Sequence, residues 1–406
     1  MISLRSILIT VAILVVLAGG LVLPQAQQEP VVKSLSSAQK DDAKKAVLCE
    51  DSSFEAAMAN VRKVGPLSKN AADDFLKKFT YPYPTQKTGI TKRTVDIKLG
   101  QRSYALFVPA SYVPAKSWPL IISFHGAGGN GEGVYNWIWS AHSGKWNGFI
   151  ACPSGEPPGS QWFPEQEEFI MAVYKDVSKN FNINTNRVYL DGFSNGGNGV
   201  WFYGISFPWL FGAICPRSGA CSTSDALKNL LNVGTYITHG DQDSIIPCTY
   251  DRQAAQKLKE LGYEVFYLEV PGGDHSPFND ETPNIMEYFN KHPRNPWAEK
   301  VIFSSHKANP TRVYWIEVTK ASGRFSLEGE VQAGNKIVIT YQGTEEIIVN
   351  LSDALVDMEK PVQIMLNEKK VHNEIVPRSL EALVTDLRQN RDINAAACAR
   401  LKFSVN

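Results

Sequence analysis

The sequence predicts a doubly wound, mostly parallel α/β sheet followed by a β-rich, sandwich-like accessory domain. Between about residues 93 and 292, short apolar runs alternate with helical segments such as 167–179 and 251–261. A parallel sheet with helical crossovers requires this alternation. After about residue 296 the helical segments stop, and apolar and polar residues alternate as they do in half-buried strands. A chain of 406 residues is long enough for two such folded parts.

Residues 1–27 have the layout of a secretory signal. Arg5 is followed by an uncharged apolar run from residue 7 to residue 23 and then by polar residues. A cleaved signal peptide and an uncleaved amino-terminal anchor both fit, because the run approaches the roughly 20 residues that span a bilayer. Both predict an extracytoplasmic protein, either secreted or periplasmic, or held at the membrane by this segment.

Residues 28–90 are polar and predict an extension that wraps the core, with helices at 51–61 and 70–79. No chemistry is assigned to it. We expect the α/β domain at residues 91–296 and the β-rich domain at residues 297–406.

The first central strand is expected at residues 119–124, and it runs into a loop of small residues at 125–130, His-Gly-Ala-Gly-Gly-Asn. Small residues allow a substrate atom to approach the backbone. We therefore expect the amide of Ala127 or of Gly128 to face a substrate oxygen. His125, which opens the loop, is expected either to contact the substrate or to make structural hydrogen bonds.

Aromatic residues crowd the segments that follow this loop. Such rings suit a cleft for phenolic groups, sugar rings or polyester chains, although some of them belong to the core. We expect Trp162 to lie nearest the substrate. The set is Trp137, Trp139, Trp146, Trp162 and Phe163.

The most informative motif is Gly-Phe-Ser-Asn-Gly at residues 192–196, which fills the pattern G-x-S-x-G. A run at 187–191 that is typical of a buried strand precedes it, and an apolar segment at 200–205 follows it. A serine between a strand and a helix sits on a tight turn whose neighbours must be small. We therefore expect Ser194 to be a nucleophile. The amide of Asn195, at the amino end of the helix, would offer partial positive charge to an oxyanion.

A nucleophilic serine needs a base that takes its proton, and with this turn the acid and then the histidine follow the serine along the chain. The strand at 234–238 leads to Asp241 and Asp243, and either carboxylate is a candidate for the acid. A further strand at 265–270 leads to a glycine-rich loop that carries His275. His275 is the expected base.

These motifs together resemble the α/β-hydrolase superfamily, and more closely the secreted esterases grouped with polyhydroxybutyrate depolymerases and feruloyl esterases. The resemblance covers about residues 90–292. It rests on the loop at 125–129, on the elbow at 192–197, on His-Gly-x-x-Asp-x-x-x-Pro at 239–247, and on Gly-Asp-His at 273–275.

The resemblance implies a serine ester hydrolase that needs no cofactor. Ser194 would attack an ester carbonyl, His275 would move the proton, and Asp243 would orient the imidazole, since it stands four residues before the proline of the family's pattern. Implied substrates are feruloyl or acetyl side esters of polysaccharides, polyesters and short-chain esters. A serine peptidase of the same fold and a non-catalytic polymer-binding protein remain as alternatives.

Charge and composition exclude some kinds of partner. The 41 Lys and Arg residues balance 41 Asp and Glu residues, so net charge predicts neither a nucleic-acid partner nor an anionic membrane surface. The expected partner is an ester substrate, possibly polymeric. No two histidines are four residues apart and no Cys-x-x-Cys occurs, so no metal site is expected.

Six cysteines suit an exported protein with one to three disulfides. Cys221 with Cys248 is the pair that we favour, because both would follow neighbouring strands. Free buried thiols are the alternative.

In the last part of the chain we expect strands at 312–318, 335–340 and 361–366 and one helix at 380–387. This domain either binds a polymer or a cell surface, or it stabilises the first domain by packing against it.

Overall fold

The computed structural model describes residues 30–155, 162, 166–221, 224–305, 307, 309 and 311–405. The leader predicted at residues 1–27 and the aromatic residue Phe163 lie outside them. No helix in these described ranges is both long enough and apolar enough to cross a membrane.

Eight strands form one sheet between residues 89 and 270. They are β1 (Gly89–Ile97), β2 (Gly100–Val108), β3 (Trp118–Phe124), β4 (Phe149–Pro153), β5 (Ile183–Phe193), β6 (Ala213–Arg217), β7 (Gly234–Gly240) and β8 (Val265–Val270). Their order across the sheet is β1-β2-β4-β3-β5-β6-β7-β8. The pairs β1–β2 and β2–β4 are antiparallel, and every pair from β4 to β8 is parallel. The mostly parallel sheet predicted from the sequence is confirmed.

Both faces of this sheet are covered, as the apolar run in β3 requires. Leu120 and Ile122 point into one core with α6, α7 and α8, whereas Ile121 points into a second core on the opposite face. The helices of the first face are α6 (Glu167–Asn180), α7 (Asn195–Ser206) and α8 (Thr249–Glu260). Those of the second are α4 (Gly131–Val134), α5 (Ser143–Trp146), α9 (Thr282–Lys291) and a π-helical turn at Tyr135–Trp139.

The amino-terminal segment forms three helices whose apolar core is separate from the two cores of the central sheet. Its helices are α1 (Ser37–Leu48), α2 (Phe54–Val61) and α3 (Lys69–Lys78). A capping box starts α1, in which Ser36 and Gln39 bond each other's backbone. Val61 and Phe75 pack with Leu383 and Leu387 of α10 (Leu380–Asn390) in a core of their own. The segment therefore joins the carboxyl-terminal part of the chain, which corrects the predicted packing.

Seven further strands form a second, mixed sheet. They are β9 (Lys300–Ser304), β10 (Thr311–Val313), β11 (Ile316–Gln332), β12 (Lys336–Leu351), β13 (Val362–Leu366), β14 (Lys369–Glu374) and β15 (Ala399–Ser404). The path β10-β11-β12-β13-β14 is extended by β9 on β11 and by β15 on β12. Only β12 and β13 pair in parallel within this described sheet. The β-rich accessory domain is thus confirmed.

The single strand predicted at 312–318 is two strands joined by a turn. Tyr314 has a φ of 56° and reverses the chain between β10 and β11. Its ring is buried and its hydroxyl donates to the carbonyl of Pro208 at 3.0 Å. The apolar pattern did not reveal the turn because residues on both sides of it are buried.

The two parts of the chain meet around the carboxylate of Asp392. It pairs with Arg294 at 2.7 Å, accepts the hydroxyl of Thr185 at 2.7 Å, and accepts the amides of Asn394 and Ala395. Arg294 lies just before the second sheet, and Thr185 lies on β5 of the first. One buried anion therefore connects both sheets.

The expected disulfide between Cys221 and Cys248 is not formed in the structure. Cys248 is a buried free thiol whose sulfur accepts from Nη2 of Arg252 at 3.3 Å. Cys152, Cys215 and Cys398 are buried free thiols as well. Burial raises the pKa of the Cys152 and Cys215 thiols well above the usual range, so these two side chains are neutral.

Candidate active site

Ser194 occupies a tight turn between β5 and α7. Its backbone has φ 60° and ψ −122°, which is a strained conformation for a residue with a side chain. The turn lies so close to β3 that a Cβ at Gly196 would stand 2.3 Å from the carbonyl oxygen of Phe124. A Cβ at Gly192 would stand 2.5 Å from the carbonyl oxygen of Gly196. The motif therefore needs glycine at both positions.

His275 lies between Ser194 and Asp243. Its Nε2 is 2.8 Å from Oγ of Ser194, and its Nδ1 is 2.7 Å from Oδ2 of Asp243. The glycine-rich loop after β8 supplies His275, and the loop after β7 supplies Asp243. Parallel strands place both loops at the same edge of the sheet as the turn at Ser194. The structure thus brings together the three side chains that the sequence selected as nucleophile, base and acid.

The side chain of Asp243 is buried, and its carboxylate accepts several hydrogen bonds. Oδ1 accepts the amides of Ile245 at 2.9 Å and of Ile246 at 2.8 Å. Burial alone would raise the pKa of Asp243, but the hydrogen bonds from His275 and from these amides bring it below its usual value. Asp243 is therefore ionised at neutral pH.

Two other carboxylates near His275, those of Asp241 and Asp274, have different contacts. Oδ1 of Asp241 accepts the amide of Gly272 at 2.7 Å, which fixes the turn after β8. Oδ1 of Asp274 accepts the amide and the hydroxyl of Ser244 at 3.2 and 3.1 Å. Of the two carboxylates that the sequence left open, Asp243 is the one bonded to the His275 ring.

A second histidine, His239, contacts Asp243 and the loop that carries it. The ring of His239 is fully buried, with Nδ1 2.8 Å from Oδ2 of Asp251 and Nε2 2.9 Å from the carbonyl oxygen of Ile246. Nε2 is also 3.2 Å from Oδ2 of Asp243. Burial alone would lower the pKa of His239, but these acceptors, led by Asp251, raise it above the ordinary value. The ring fixes the loop that carries Asp243.

The loop after β3 passes beside Ser194. A Cβ at Gly126 would lie 3.3 Å from Cβ of Ser194. Ala127 lines the same cavity as Ser194, whereas Gly128, with a φ of 74°, lines a neighbouring one. Asn195 is the first residue of α7. The three positions predicted as oxyanion donors therefore lie on the two segments that flank the serine.

His125 makes structural hydrogen bonds, which is one of the two roles expected for it, and it also lines the cavity over Ser194. Only 2% of the residue is exposed, and both ring nitrogens are occupied. Nε2 accepts the amide of Gly155 at 3.0 Å, so Nδ1 carries the proton and donates to the carbonyl oxygen of Gly126 at 2.7 Å. Burial lowers the pKa of His125 and keeps it neutral. Its hydrogen bonds fix the loop that it opens.

Trp162 also belongs to the core, and the prediction that it lies nearest the substrate is wrong. It is fully buried, stacks on Phe124 with ring centroids 4.9 Å apart, and donates Nε1 to the carbonyl oxygen of His125 at 2.8 Å. Trp139 and Trp146 are buried as well. Of the four tryptophans predicted to wall a cleft, all of which the structure describes, Trp137 is exposed, with 56% of its surface accessible.

A cavity of about 510 Å³ opens over Ser194. Val134, Phe193 and Ile245 line this cavity, but they were not predicted from the sequence. Ile245 lies two residues after Asp243, so its place on the acid loop was the available signal. The lining is His125, Gly126, Ala127, Gly129, Gly133, Val134, Trp137, Phe193, Ser194, Ile245 and His275.

The wall is mostly apolar, and Trp137 and Ile245 extend it outwards to the solvent. The ring of Trp137 packs edge-on against Phe193 with centroids 5.2 Å apart. Within the described part of the chain, no group of three His, Cys, Asp or Glu side chains is placed to hold a metal ion.

The known proteins that this chain resembles include a thioesterase, a depolymerase and an esterase. Residues 160–293 match the Phospholipase/Carboxylesterase family. Acyl-protein thioesterase 1 of Gibberella zeae is 28% identical over 26% of this chain and 48% of its own length. Poly(3-hydroxyoctanoate) depolymerase of Pseudomonas fluorescens is 23% identical over 48% of this chain and 81% of its own. For probable feruloyl esterase C of Aspergillus flavus the values are 27%, 44% and 69%.

The chain thus spans about half the length of the first of these relatives and more than two thirds of the other two. The region matched by the family runs from before α6 to the end of α9, and it contains β5, the turn at Ser194 and the loops that carry Asp243 and His275. Residues 160–293 thus resemble the α/β-hydrolases of the esterase type, and the eight-stranded sheet around them has the fold expected from that resemblance.

Proposed function

We propose that the protein is an extracytoplasmic serine carboxylic-ester hydrolase that works through an acyl-enzyme. The observation that carries the proposal is the hydrogen-bonded series from Oγ of Ser194 through His275 to Asp243, at the base of an apolar cavity. A serine with a partnered imidazole and an ionised carboxylate is the arrangement that activates a hydroxyl for acyl transfer.

In the acylation step, Oγ of Ser194 forms a bond to the ester carbonyl carbon and its proton moves to Nε2 of His275. Asp243 accepts the Nδ1–H of the ring, which fixes the tautomer and stabilises the imidazolium. The amide of Asn195 and that of Ala127 or Gly128 are proposed to stabilise the oxyanion. When the tetrahedral intermediate collapses, the bond to the alcohol breaks and His275 gives its proton to the leaving oxygen.

In the second step, water attacks the acyl-enzyme. His275 takes a proton from the water, and the new tetrahedral intermediate releases the carboxylic acid as the proton returns to Oγ of Ser194. The strained backbone at Ser194 supports this cycle, because it holds the hydroxyl at the tip of the turn throughout.

The cavity supports an ester with an apolar acyl group. Val134, Trp137, Phe193 and Ile245 offer alkyl and aromatic surface next to Ser194, and such surface binds alkyl chains or phenolic rings. Two of the relatives are named for poly(3-hydroxyoctanoate) and for feruloyl esters, and the acyl groups of these esters are of these two kinds. Polysaccharide side esters, polyesters and shorter esters are the proposed substrates. The signal-like sequence at residues 1–27 supports a location outside the cytoplasm.

Hydrolysis by wild-type protein and by Ser194→Ala tests the proposal. We expect the wild type to hydrolyse p-nitrophenyl acetate, p-nitrophenyl octanoate and methyl ferulate, and to react with a fluorophosphonate. Ser194→Ala should lose both properties at an unchanged melting temperature, with a fall in kcat of about a million-fold. A wild type that is folded, inert to all three esters and unlabelled would refute the proposal.

Trp137→Ala tests the substrate class. Because the exposed ring contacts a long or aromatic acyl group but not an acetyl group, we expect KM to rise about tenfold for the octanoate and ferulate esters and to stay unchanged for the acetate. Leu99→Ala is the matched control, since Leu99 is 72% exposed on the turn between β1 and β2 and does not line the cavity over Ser194. Equal effects on all three esters would contradict the assignment of the apolar wall to the acyl group.

A further inference from the structure

An ion pair is buried beneath the active site. Arg217, the last residue of β6, and Asp191 on β5 both have fully buried side chains, and Nε of Arg217 is 2.6 Å from Oδ2 of Asp191. Burying two charges costs several kcal/mol in desolvation, and a pair of apolar residues often serves a core equally well. Core packing alone does not call for a guanidinium here.

The Arg217 guanidinium extends from β5, the strand that leads to Ser194, to the loop that carries His275. Its Nη1 donates to the carbonyl oxygen of Pro277 and to Oγ1 of Thr282, both at 3.1 Å. Pro277 follows His275 by two residues, and Thr282 begins α9. A planar guanidinium binds several acceptors in fixed directions, so Arg217 fixes this loop relative to β5.

The backbone around Arg217 contacts the same two segments. Its carbonyl oxygen accepts the amide of Ser194 at 2.9 Å. The next residue, Ser218, has a φ of 44° and donates its hydroxyl to the carbonyl oxygen of Ser276 at 2.7 Å. One dipeptide thus touches the serine of the turn and the residue that follows His275.

Asp191 is itself held in place. Its Oδ1 accepts the hydroxyl of Ser123 at 2.9 Å, and the oxygen of Ser123 accepts Nε1 of Trp139 at 2.8 Å. The Arg217 guanidinium lies 5.7 Å from the centroid of the Trp139 ring. The pair therefore belongs to a buried network with fixed geometry.

We propose that Arg217 is a positioning residue, which fixes the loop after His275 so that Nε2 of the imidazole stays within hydrogen-bond distance of Oγ of Ser194. The inference rests on the proposed function, since it assigns a role in the same reaction. Displacement of a reacting group by about 1 Å can cost about a hundredfold in rate. The Arg217 side chain donates hydrogen bonds to Asp191, Pro277 and Thr282, none of which lines the cavity over Ser194. We therefore expect Arg217 to affect turnover and not substrate binding.

The test compares the full-length wild type with Arg217→Met and with the double variant Asp191→Asn/Arg217→Met, using p-nitrophenyl acetate and thermal unfolding. Arg217→Met should lower the melting temperature, because it leaves Asp191 buried without a partner. The double variant removes both charges and should recover most of that loss. We expect kcat to fall about 10- to 100-fold in both variants, with KM within about threefold of wild type.

Two milder variants serve if Arg217→Met does not fold. Thr282→Val removes one acceptor of Nη1, and Arg217→Lys keeps the charge but loses the planar fork. Thr282→Val should reduce kcat about threefold to tenfold, and Arg217→Lys should retain more activity than Arg217→Met.

Recovery of kcat together with the melting temperature in the double variant would show a purely structural pair and would overturn the inference. Unchanged kcat in folded Thr282→Val and folded Arg217→Lys would do the same. Ser194→Ala separates the two proposals. If hydrolysis by the wild type does not depend on Ser194, the proposed function fails, whereas Ser194-dependent hydrolysis that is insensitive to Arg217 overturns the positioning role alone.

Discussion

At the scale of single residues, Asp243 and Asp241 differ in what they contact. Oδ2 of Asp243 bonds the imidazole of His275, whereas Asp241 bonds the amide of Gly272. Asp243→Asn should therefore reduce kcat about ten-thousand-fold, because the amide stabilises the wrong tautomer of the ring. Asp241→Asn, measured on the same ester, is the matched control and should retain most of the activity. A larger loss in Asp241→Asn than in Asp243→Asn would reverse the assignment.

His125 makes a prediction about stability and pH. Its pKa is 6.5 in an unfolded chain and lower in the folded protein because of burial. Below about pH 6.5 the unfolded state binds a proton that the folded state does not. The free energy of unfolding therefore decreases as the pH is lowered, until the pKa of the folded state is reached. The slope from this one group is at most about 1.4 kcal/mol per pH unit.

The measurement is urea unfolding of the wild type and of His125→Gln between pH 7.5 and 5.5. We expect the variant to lose less stability than the wild type over this interval, since glutamine does not titrate. His372→Gln, on β14 of the second sheet, controls for the removal of a distant imidazole. Identical pH dependence in wild type and His125→Gln would contradict the prediction.

Ser194 and His275 could be predicted because each follows the end of a strand in a motif whose spacing reflects backbone geometry, whereas only the resemblance to the family's pattern separated Asp243 from Asp241. Trp162 shows where such reasoning stops. Its indole is buried by stacking on Phe124 and by a bond to the carbonyl of His125. The local sequence around a loop aromatic residue does not show whether the ring faces a cleft or the core. Only the three-dimensional packing distinguishes Trp162 from Trp137.

At the scale of elements, the turn between β5 and α7 requires a position without a side chain. A Cβ at Gly196 would meet the carbonyl oxygen of Phe124 at 2.3 Å, and that backbone belongs to a central strand. Gly196→Ala should therefore destabilise the protein by about 3 kcal/mol. It should also reduce kcat, because any relief of the clash moves Ser194.

Gly144→Ala is the matched control for Gly196→Ala. Gly144 lies in the short helix α5, and a Cβ there has no heavy atom within 4 Å. We expect this variant to be as stable as the wild type or more so, since alanine is the better helix former. Chemical denaturation measures both, and equal stability of the two variants would show that β3 can move away from the turn.

The second sheet was predictable as a set of strands but not as a topology. Alternating residues mark β12 and β13, yet nothing in their sequence indicates that these two strands pair in parallel. The turn at Tyr314 was hidden because a left-handed conformation at a tyrosine has no local sequence signal. Long-range pairing and buried turns depend on the finished packing, which a local pattern does not contain.

At the scale of the whole molecule, Asp392 links the two sheets. Its carboxylate is almost fully buried against Arg294 and Thr185. Arg294 lowers the pKa of Asp392, which burial alone would raise. Asp392→Ala should cost about 3 to 5 kcal/mol, because it leaves a buried guanidinium without its anion. The stability is measured by urea unfolding.

The exposed pair of Glu287 and Lys291 is the control for this measurement. Removal of Glu287 should leave the unfolding midpoint almost unchanged, because water replaces the lost contact. If Asp392→Ala were equally harmless, the pair of Asp392 and Arg294 would not stabilise the packing of the two parts of the chain.

The core shared by α1, α2, α3 and α10 has a consequence for the order of assembly. Leu383 and Leu387, which cover Val61 and Phe75, are separated from them by more than three hundred residues. During synthesis the first helices therefore emerge long before their partner exists, and every strand of the two sheets except β15 is synthesised before α10. Contacts between such distant residues form late and slowly. A ribosome or an export channel would thus handle an amino-terminal segment that becomes stable only when α10 has been released.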